Sequence, residues 1–298
     1  MIDKRTLLKF GIAAGVLTGL GPVSLSHADS GLAWKHFPAG GNGFFRAPVL
    51  ITGSTEALLI DGGFSYPDGA ALVAEIKATG KTLTTIYISQ SDPDFYFSLK
   101  PVKEAFPDAR VIAAPETVQA IKGNVEKKLA VWGPKLGEHG PQTLADIVMP
   151  EEFDGPTLSV DDETVEIVPA DGLANRRYLY VPSLDAVFGG VLVFSGTHVW
   201  TADTPTPEQR QAWVHNLEKI LEKAPATVIP GHMTPDALTG LAAVRFTRSY
   251  LLAFDEELAK APDAAGLKAA MENRFPDLDM GVALDIGSKV ATGEMKWG

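Results

Sequence analysis

The loop Ser89-Gln90-Ser91-Asp92-Pro93-Asp94-Phe95-Tyr96 brings two carboxylates and an amide close together, and the apolar run 226–229 leads straight into Pro230-Gly231-His232. Carboxylates this close in a loop bind hard cations, exchange protons, or cap the helix that follows. Asp92-Pro93-Asp94 reads first as a solvated turn with capping carboxylates. With Gln90, Asp171 and His232 it also makes an oxygen-rich set, better suited to Mg²⁺, Ca²⁺ or Mn²⁺ than to a zinc pair. His232 reads as a metal ligand, as an acid/base residue beside a substrate, or as a loop imidazole bonded to backbone. His198, in Ser195-Gly196-Thr197-His198-Val199-Trp200, reads as structural before it reads as a pocket residue. Arg176 and Arg177 look like a surface pair at a strand edge. The chemical alternative makes Arg176 a fixed cation neutralising Asp92, Asp94 or Asp171. Phe95, Tyr96, Phe97 and Trp200 either line a pocket or pack the helix after the loop.

The rest of the inventory narrows the chemistry. The chain of 298 residues has no cysteine and six histidines. That excludes disulfides, thiolate zinc sites, iron–sulfur clusters and cysteine nucleophiles. His215 falls on the exposed face of a helix, and His36 and His139 fall in segments read as irregular. Gly-x-Ser-x-Gly is absent, and Gly40-Gly41-Asn42-Gly43 lacks the lysine of a phosphate loop. The balance of 26 basic and 37 acidic residues, a net charge of −11, speaks against nucleic acid or anionic membranes as partners. Hydrophobic residues at 45% and charged residues at 21% describe an ordinary globular protein.

The elements that must position these residues alternate between strand and helix. Residues 49–52 and 57–60 flank the polar turn Gly53-Ser54-Thr55-Glu56 and predict a hairpin, broken sharply by Asp61-Gly62-Gly63. A helix is expected over 68–79 with Gly80 ending it, then a strand over 84–88, a helix near Leu99, a strand over 110–114 and a helix over 115–129. Residues 133–155 read as irregular. Strands follow at 164–168, 177–181 and 186–188, a helix at 207–223, a strand at 226–229 and a helix at 238–258. Alternation in both halves predicts sheets inside and helices outside.

In this order the pieces resemble the metallo-β-lactamase superfamily. The resemblance rests on Leu59-Ile60-Asp61-Gly62-Gly63, the loop from Ser89, Val181-Pro182-Ser183-Leu184, Val187-Phe188-Gly189-Gly190 and Ile229-Pro230-Gly231-His232. It implies an α/β fold, a four-layer αββα sandwich over 29–298, with C-terminal helices from about 236. It also implies a His-x-His-x-Asp-His ligand set where this chain has Gln90, Asp92, Asp94 and Phe95. A third histidine is expected near Ala170 or Asp171, and a bridging aspartate at Gly190. Only Asp94 and His232 keep the family's ligand residues. The hydroxide-generating metal charge of that family is therefore not expected here; no cofactor is expected, with a single divalent metal as the alternative.

The expected function is that of a non-catalytic binding or accessory protein. Its pocket candidates are Gln90, Asp92, Asp94, Phe95, Asp171, Arg176, His198 and His232, and its partner is a small-molecule ligand or a periplasmic protein. The alternative is a hydrolase of ester, lactone or related bonds with a rewired oxygen-rich or single-metal site. Residues 1–28 read as an export signal, twin-arginine-like at Lys4-Arg5-Thr6-Leu7-Leu8-Lys9 or secretory, with cleavage before Asp29. That predicts a periplasmic or secreted protein with no membrane contact after cleavage.

Overall fold

The computed structural model describes residues 31–297. The expected export signal lies outside the described residues. Six strands form the first sheet, in the order β1 (Ala33–His36), β2 (Val49–Thr52), β3 (Glu56–Ile60), β4 (Thr82–Ile88), β5 (Arg110–Ala113) and β6 (Glu151–Glu152). The hairpin is β2–β3, paired antiparallel with Val49 opposite Ile60. From β3 through β6 the pairing is parallel. The second sheet comprises β7 (Thr157–Val160), β8 (Glu163–Pro169), β9 (Arg177–Val181), β10 (Ala186–Phe188) and, in chain order after a two-residue β11 (Phe194–Ser195), β12 (Thr227–Val228). β11 pairs in parallel with β13 (His232–Met233).

The layering follows from strand alternation, since neighbouring side chains point to opposite sheet faces. In the first sheet Val49, Ile51, Leu58, Ile60, Tyr87 and Ile112 point one way. They meet Val165, Ile167, Leu179, Val181 and Phe188 from the second sheet in one buried cluster. The intervening residues Leu50, Leu59, Ile86, Ile88 and Val111 belong to a separate cluster under the helices. Over the first sheet lie α1 (Tyr66–Thr79), α2 (Leu99–Ala105) and α3 (Pro115–Leu136). On the second sheet's side lie α4 (Pro207–Lys223), α5 (Gly240–Leu258), α6 (Ala264–Arg274) and α7 (Gly281–Ala291). Trp213 of α4 is fully buried, and its indole N–H donates to the Leu192 carbonyl at 2.8 Å. The αββα sandwich read from the alternation is the architecture present.

Several segments differ from expectation, β6 among them, which lies in the stretch 133–155 read as irregular. α3 runs beyond residue 129 to Leu136 and takes in Gly133 and Pro134, although Pro134 has no N–H to give the preceding turn. His36 is the last residue of an edge strand rather than part of an irregular segment, because β1 pairs with β2 through the partners His36 and Val49. Among the described residues no helix is long and apolar enough to cross a membrane.

Candidate functional site

The C-terminal ends of β3, β4 and β10 converge. Asp61 follows β3 in the left-handed region, φ 61°, a conformation that aspartate tolerates better than most residues. Its carboxylate accepts from the Ser89 backbone N–H and the Ser89 hydroxyl, both at 2.7 Å, just past the end of β4. The Ser89 oxygen in turn accepts from the Gly190 N–H at 2.9 Å, just past β10. Arg46 completes the knot. Its guanidinium pairs with Asp61 and donates to the Gly231 carbonyl, and both charged side chains are fully buried. Burial pushes the Asp61 carboxyl up and the Arg46 guanidinium down, while each opposes the other's shift. The pair stays ionised because Asp61 also has two Ser89 donors and a guanidinium does not give up its proton in proteins.

The same guanidinium lies 3.8 Å from the centre of the Phe95 ring. The loop that carries Phe95 is fastened to the end of β3: Gly62 N–H donates to the Phe95 carbonyl at 2.7 Å, and Gly63 N–H to the Ser98 hydroxyl at 2.6 Å. His232, which opens β13, stacks on Phe194 at 4.8 Å with the rings 5° apart, and meets Phe95 edge-on at 5.8 Å. Its Nε2 is 2.9 Å from Asp94 Oδ2. Burial lowers the pKa of His232 against the opposing pull of Asp94. The ring is therefore neutral at pH 7. A carboxylate only accepts, so Nε2 carries the proton and Nδ1 keeps its lone pair.

Above these groups opens a cleft of about 530 Å³, counted out to its mouth. Its polar lining is Asp92, Asp94, Lys128 and His232. Its aromatic lining, besides Phe95, is Phe44, Phe64, Trp132, Trp200 and Trp297. Lys128 and Trp132 stand four apart on α3 and so share one helix face. Lys128 Nζ is 3.2 Å from Asp92 Oδ1. Behind Asp92, Asp203 accepts from the Trp297 indole N–H at 2.7 Å and lies 3.9 Å from Arg176.

The sequence candidates separate into groups. Asp92, Asp94, Phe95 and His232 meet at the cleft, with Trp200 on its wall. Gln90 is buried beside it and turned inward, its amide oxygen accepting from Asn175 at 2.9 Å and from the Ser91 N–H at 2.6 Å. Arg176 is not a surface residue. It is 3% exposed, lies 4.3 Å from the Trp213 ring, and acts electrostatically on Asp203 and Asp92. Arg177 is the one that reaches outward, pairing with Glu116 at 2.6 Å. Asp171 does not join the set. α4 captures it: Asn216 accepts from its backbone N–H at 2.9 Å, and Lys219 pairs with its exposed carboxylate. His198 is also apart, its Nδ1 3.0 Å from the Tyr250 hydroxyl of α5. Arg46, Asp203, Lys128, Trp132 and Trp297 were not among the sequence candidates. Only the i, i+4 pair Lys128 and Trp132 left a local signal, and it did not point at a cleft.

Asp92 is the most perturbed carboxylate of the cleft. Burial, then the Asp203 charge, push its pKa up to about 7 against the pull of Lys128, although 23% of the side chain remains exposed. A carboxyl raised in the folded state binds its proton more tightly there than in the unfolded chain. Its contribution to stability is then full below the unfolded value of 3.8 and is lost as pH rises through about 7. Asp92→Asn should therefore raise the melting temperature over the parent more at pH 8 than at pH 4. Melting curves of both proteins across that range test this; a difference independent of pH would contradict it.

Fold and cleft together define an αββα sandwich whose site is built on loops at one edge of its two sheets. Residues 41–232 match the model of the metallo-beta-lactamase superfamily, and the chain belongs to that superfamily. The solved structure of a metallo-beta-lactamase family protein from Thermus thermophilus is 15% identical, with a TM-score of 0.59 over 88% of this chain and 91% of that one. A beta-lactamase domain protein from Burkholderia ambifaria is also 15% identical, with a TM-score of 0.61 over 93% and 88%. At these identities the likeness is one of fold. No curated protein matches the chain.

Zinc is the metal the superfamily implies, and the residues here do not fit it. Among the described residues no group of three or more His, Cys, Asp or Glu could hold a metal ion. Of the positions that resemble family ligands, Gln90 is spent on Asn175 and Ser91, and Asp92 on Lys128. Asp94 and His232 are spent on each other, and Phe95 lies under a fixed guanidinium. A buried cation at that spot repels a second one.

Proposed function

We propose that this chain is an exported, metal-independent member of its superfamily that binds a small organic molecule in the cleft. One observation carries the reading: the Arg46 guanidinium stacked on Phe95, between the Asp61 carboxylate and the backbone of Gly231-His232, supplies fixed positive charge near the positions that resemble metal ligands. The cleft itself has the mostly apolar lining of a ligand pocket. Metal analysis of the purified mature protein, with melting curves in Zn²⁺, Mn²⁺, Mg²⁺ and Ca²⁺, tests the proposal. No stoichiometric metal and no upward shift are expected, because a cation bound to the native state must stabilise it. Stoichiometric metal that is lost on Asp94→Ala or His232→Ala would refute it. Export rests on the basic start and apolar run of residues 1–28, and the N-terminal residue of the protein in a periplasmic extract decides it.

A second reading has one specific support. His232 is hydrogen-bonded to Asp94, is neutral, and lines the cleft, and its buried Nδ1 accepts from no donor among the described residues. Were water admitted to that nitrogen, the imidazole would act as general base, making the chain a hydrolase of esters or lactones. Hydrolysis that disappears in His232→Gln would favour that reading over simple binding.

A further inference from the structure

We propose that Trp297 is a displaceable occupant of the cleft and that the ligand takes its place: a flat, uncharged, electron-rich aromatic molecule with a ring N–H. The inference rests on the reading of the cleft as a small-molecule site. The first observation is how Trp297 is held. Its indole N–H donates to Asp203 Oδ1 at 2.7 Å, its ring meets that of Trp200 edge-on at 5.1 Å and 69°, and Lys128 Nζ lies 4.9 Å from its centre. The backbone adds little. The Met295 N–H donates to the Lys289 carbonyl at 3.0 Å, and beyond it neither Lys296 nor Trp297 makes a backbone hydrogen bond to another described residue. Trp297 is 37% exposed, whereas Trp213 of the core is fully buried. A side chain at the end of so short a tether opens without disturbing the sheets.

The second observation is what the indole covers. Asp203 Oδ2 and both terminal nitrogens of Arg176 are buried and have no hydrogen-bond partner among the described residues, although the two side chains stand 3.9 Å apart. Buried polar groups without a protein partner weigh against the closed position. With the indole withdrawn, the cleft extends past Trp200 and Lys128 to the Asp203 carboxylate.

The third observation is the chemistry of the place itself. It offers a hydrogen-bond acceptor, the ring of Trp200 and an ammonium over the guest's face, and the chain fills it with indole, the side chain whose face attracts a cation most strongly. A guest that displaces Trp297 must replace it donor for donor and face for face, or Asp203 loses its bond. Charge adds no preference. Asp61 pairs with Arg46, Asp92 with Lys128, and Asp203 faces Arg176, while Asp94 bonds His232 within the field of Arg46. An uncharged guest leaves that balance intact.

Five tryptophans give five indole N–H signals in a proton–nitrogen correlation spectrum, and Trp297→Phe identifies the one from Trp297. Indole is titrated into the isotope-labelled protein, with N-methylindole, which lacks the donor, as the comparison. Indole should move the Trp297 signal towards the position of free tryptophan and bind about fivefold tighter than N-methylindole or more. In calorimetry, Trp297→Ala should bind indole about fivefold tighter than the parent, because the occupant no longer competes. A Trp297 signal that stays in place while indole binds, or N-methylindole binding as tightly as indole, would overturn the proposal and leave the cleft as a ligand site. Equal or weaker binding of indole by Trp297→Ala would also overturn it and make Trp297 a fixed wall. No binding of indole at about 10 mM, a ceiling far above ordinary ligand affinities, would overturn it as well. Metal independence is decided separately by the metal analysis, so the two failures are distinguishable.

Discussion

Arg46→Ala should destabilise the protein by about 3–5 kcal/mol, the cost of leaving one member of a buried ion pair alone. Both partners are fully buried, and Arg46 ties together three segments that are distant in sequence: the strand end at Asp61, the Phe95 ring and the Gly231 carbonyl. Removing it leaves Asp61 with only its two Ser89 bonds and lifts the ring's cover. Arg46→Lys should recover only part of the loss. A lysine keeps the charge but not the planar fork that bonds the carboxylate and the carbonyl together. The double variant Arg46→Met, Asp61→Asn should be more stable than Arg46→Ala, since no unpaired charge then remains. Urea unfolding of the parent and these three variants at one pH gives the comparison. A loss below about 0.5 kcal/mol for Arg46→Ala, the range of an ordinary surface substitution, would show that the pair does not hold the site together.

Placing an aspartate at Gly190, where the resemblance would put a bridging ligand, should fail. Gly190 has φ 71°, and a Cβ there would press into the Arg177 carbonyl oxygen. A Cβ on Gly231 would likewise press into the Gly190 carbonyl oxygen, so the two backbones pass close together there. Gly190→Asp and Gly190→Ala should each cost about 3 kcal/mol or more, by backbone strain and overpacking. Their losses should be similar, because the Cβ and not the carboxylate causes them. Unfolding curves and zinc content of the two variants decide it. A Gly190→Asp protein as stable as its parent that takes up zinc would mean the metal site is one substitution away rather than structurally closed.

Much of this was visible in the sequence, because local rules govern it. The β2–β3 hairpin followed from two apolar runs around a polar turn, and α4 from a Pro near its start and apolar residues at helical spacing. Asp92, Asp94, Phe95 and His232 were found because each stands on a motif that follows a strand, and a strand end fixes where its loop emerges. The misplacement of Asp171 has a physical origin too. The turn after β8 folds toward α4, where Asn216 and Lys219 offer a better home for its backbone and charge than the cleft does. Arg176 stood between a surface and a pocket reading because nothing local says that Trp213, on a helix far along the chain, covers it.

The sequence by itself determined that this is an αββα sandwich whose strand-end loops carry an amide, two carboxylates, a phenyl ring and one imidazole. Those are properties of side-chain periodicity and residue type, which act over a few residues. Tertiary structure alone decided what stands near those loops. Arg46, the α3 pair Lys128 and Trp132, and Trp297 come from three separated stretches, and only the fold brings Arg46 against Phe95 and the other three to the cleft wall. A cation's partner is chosen by distance in space, and distance in space is what packing, not spacing along the chain, sets.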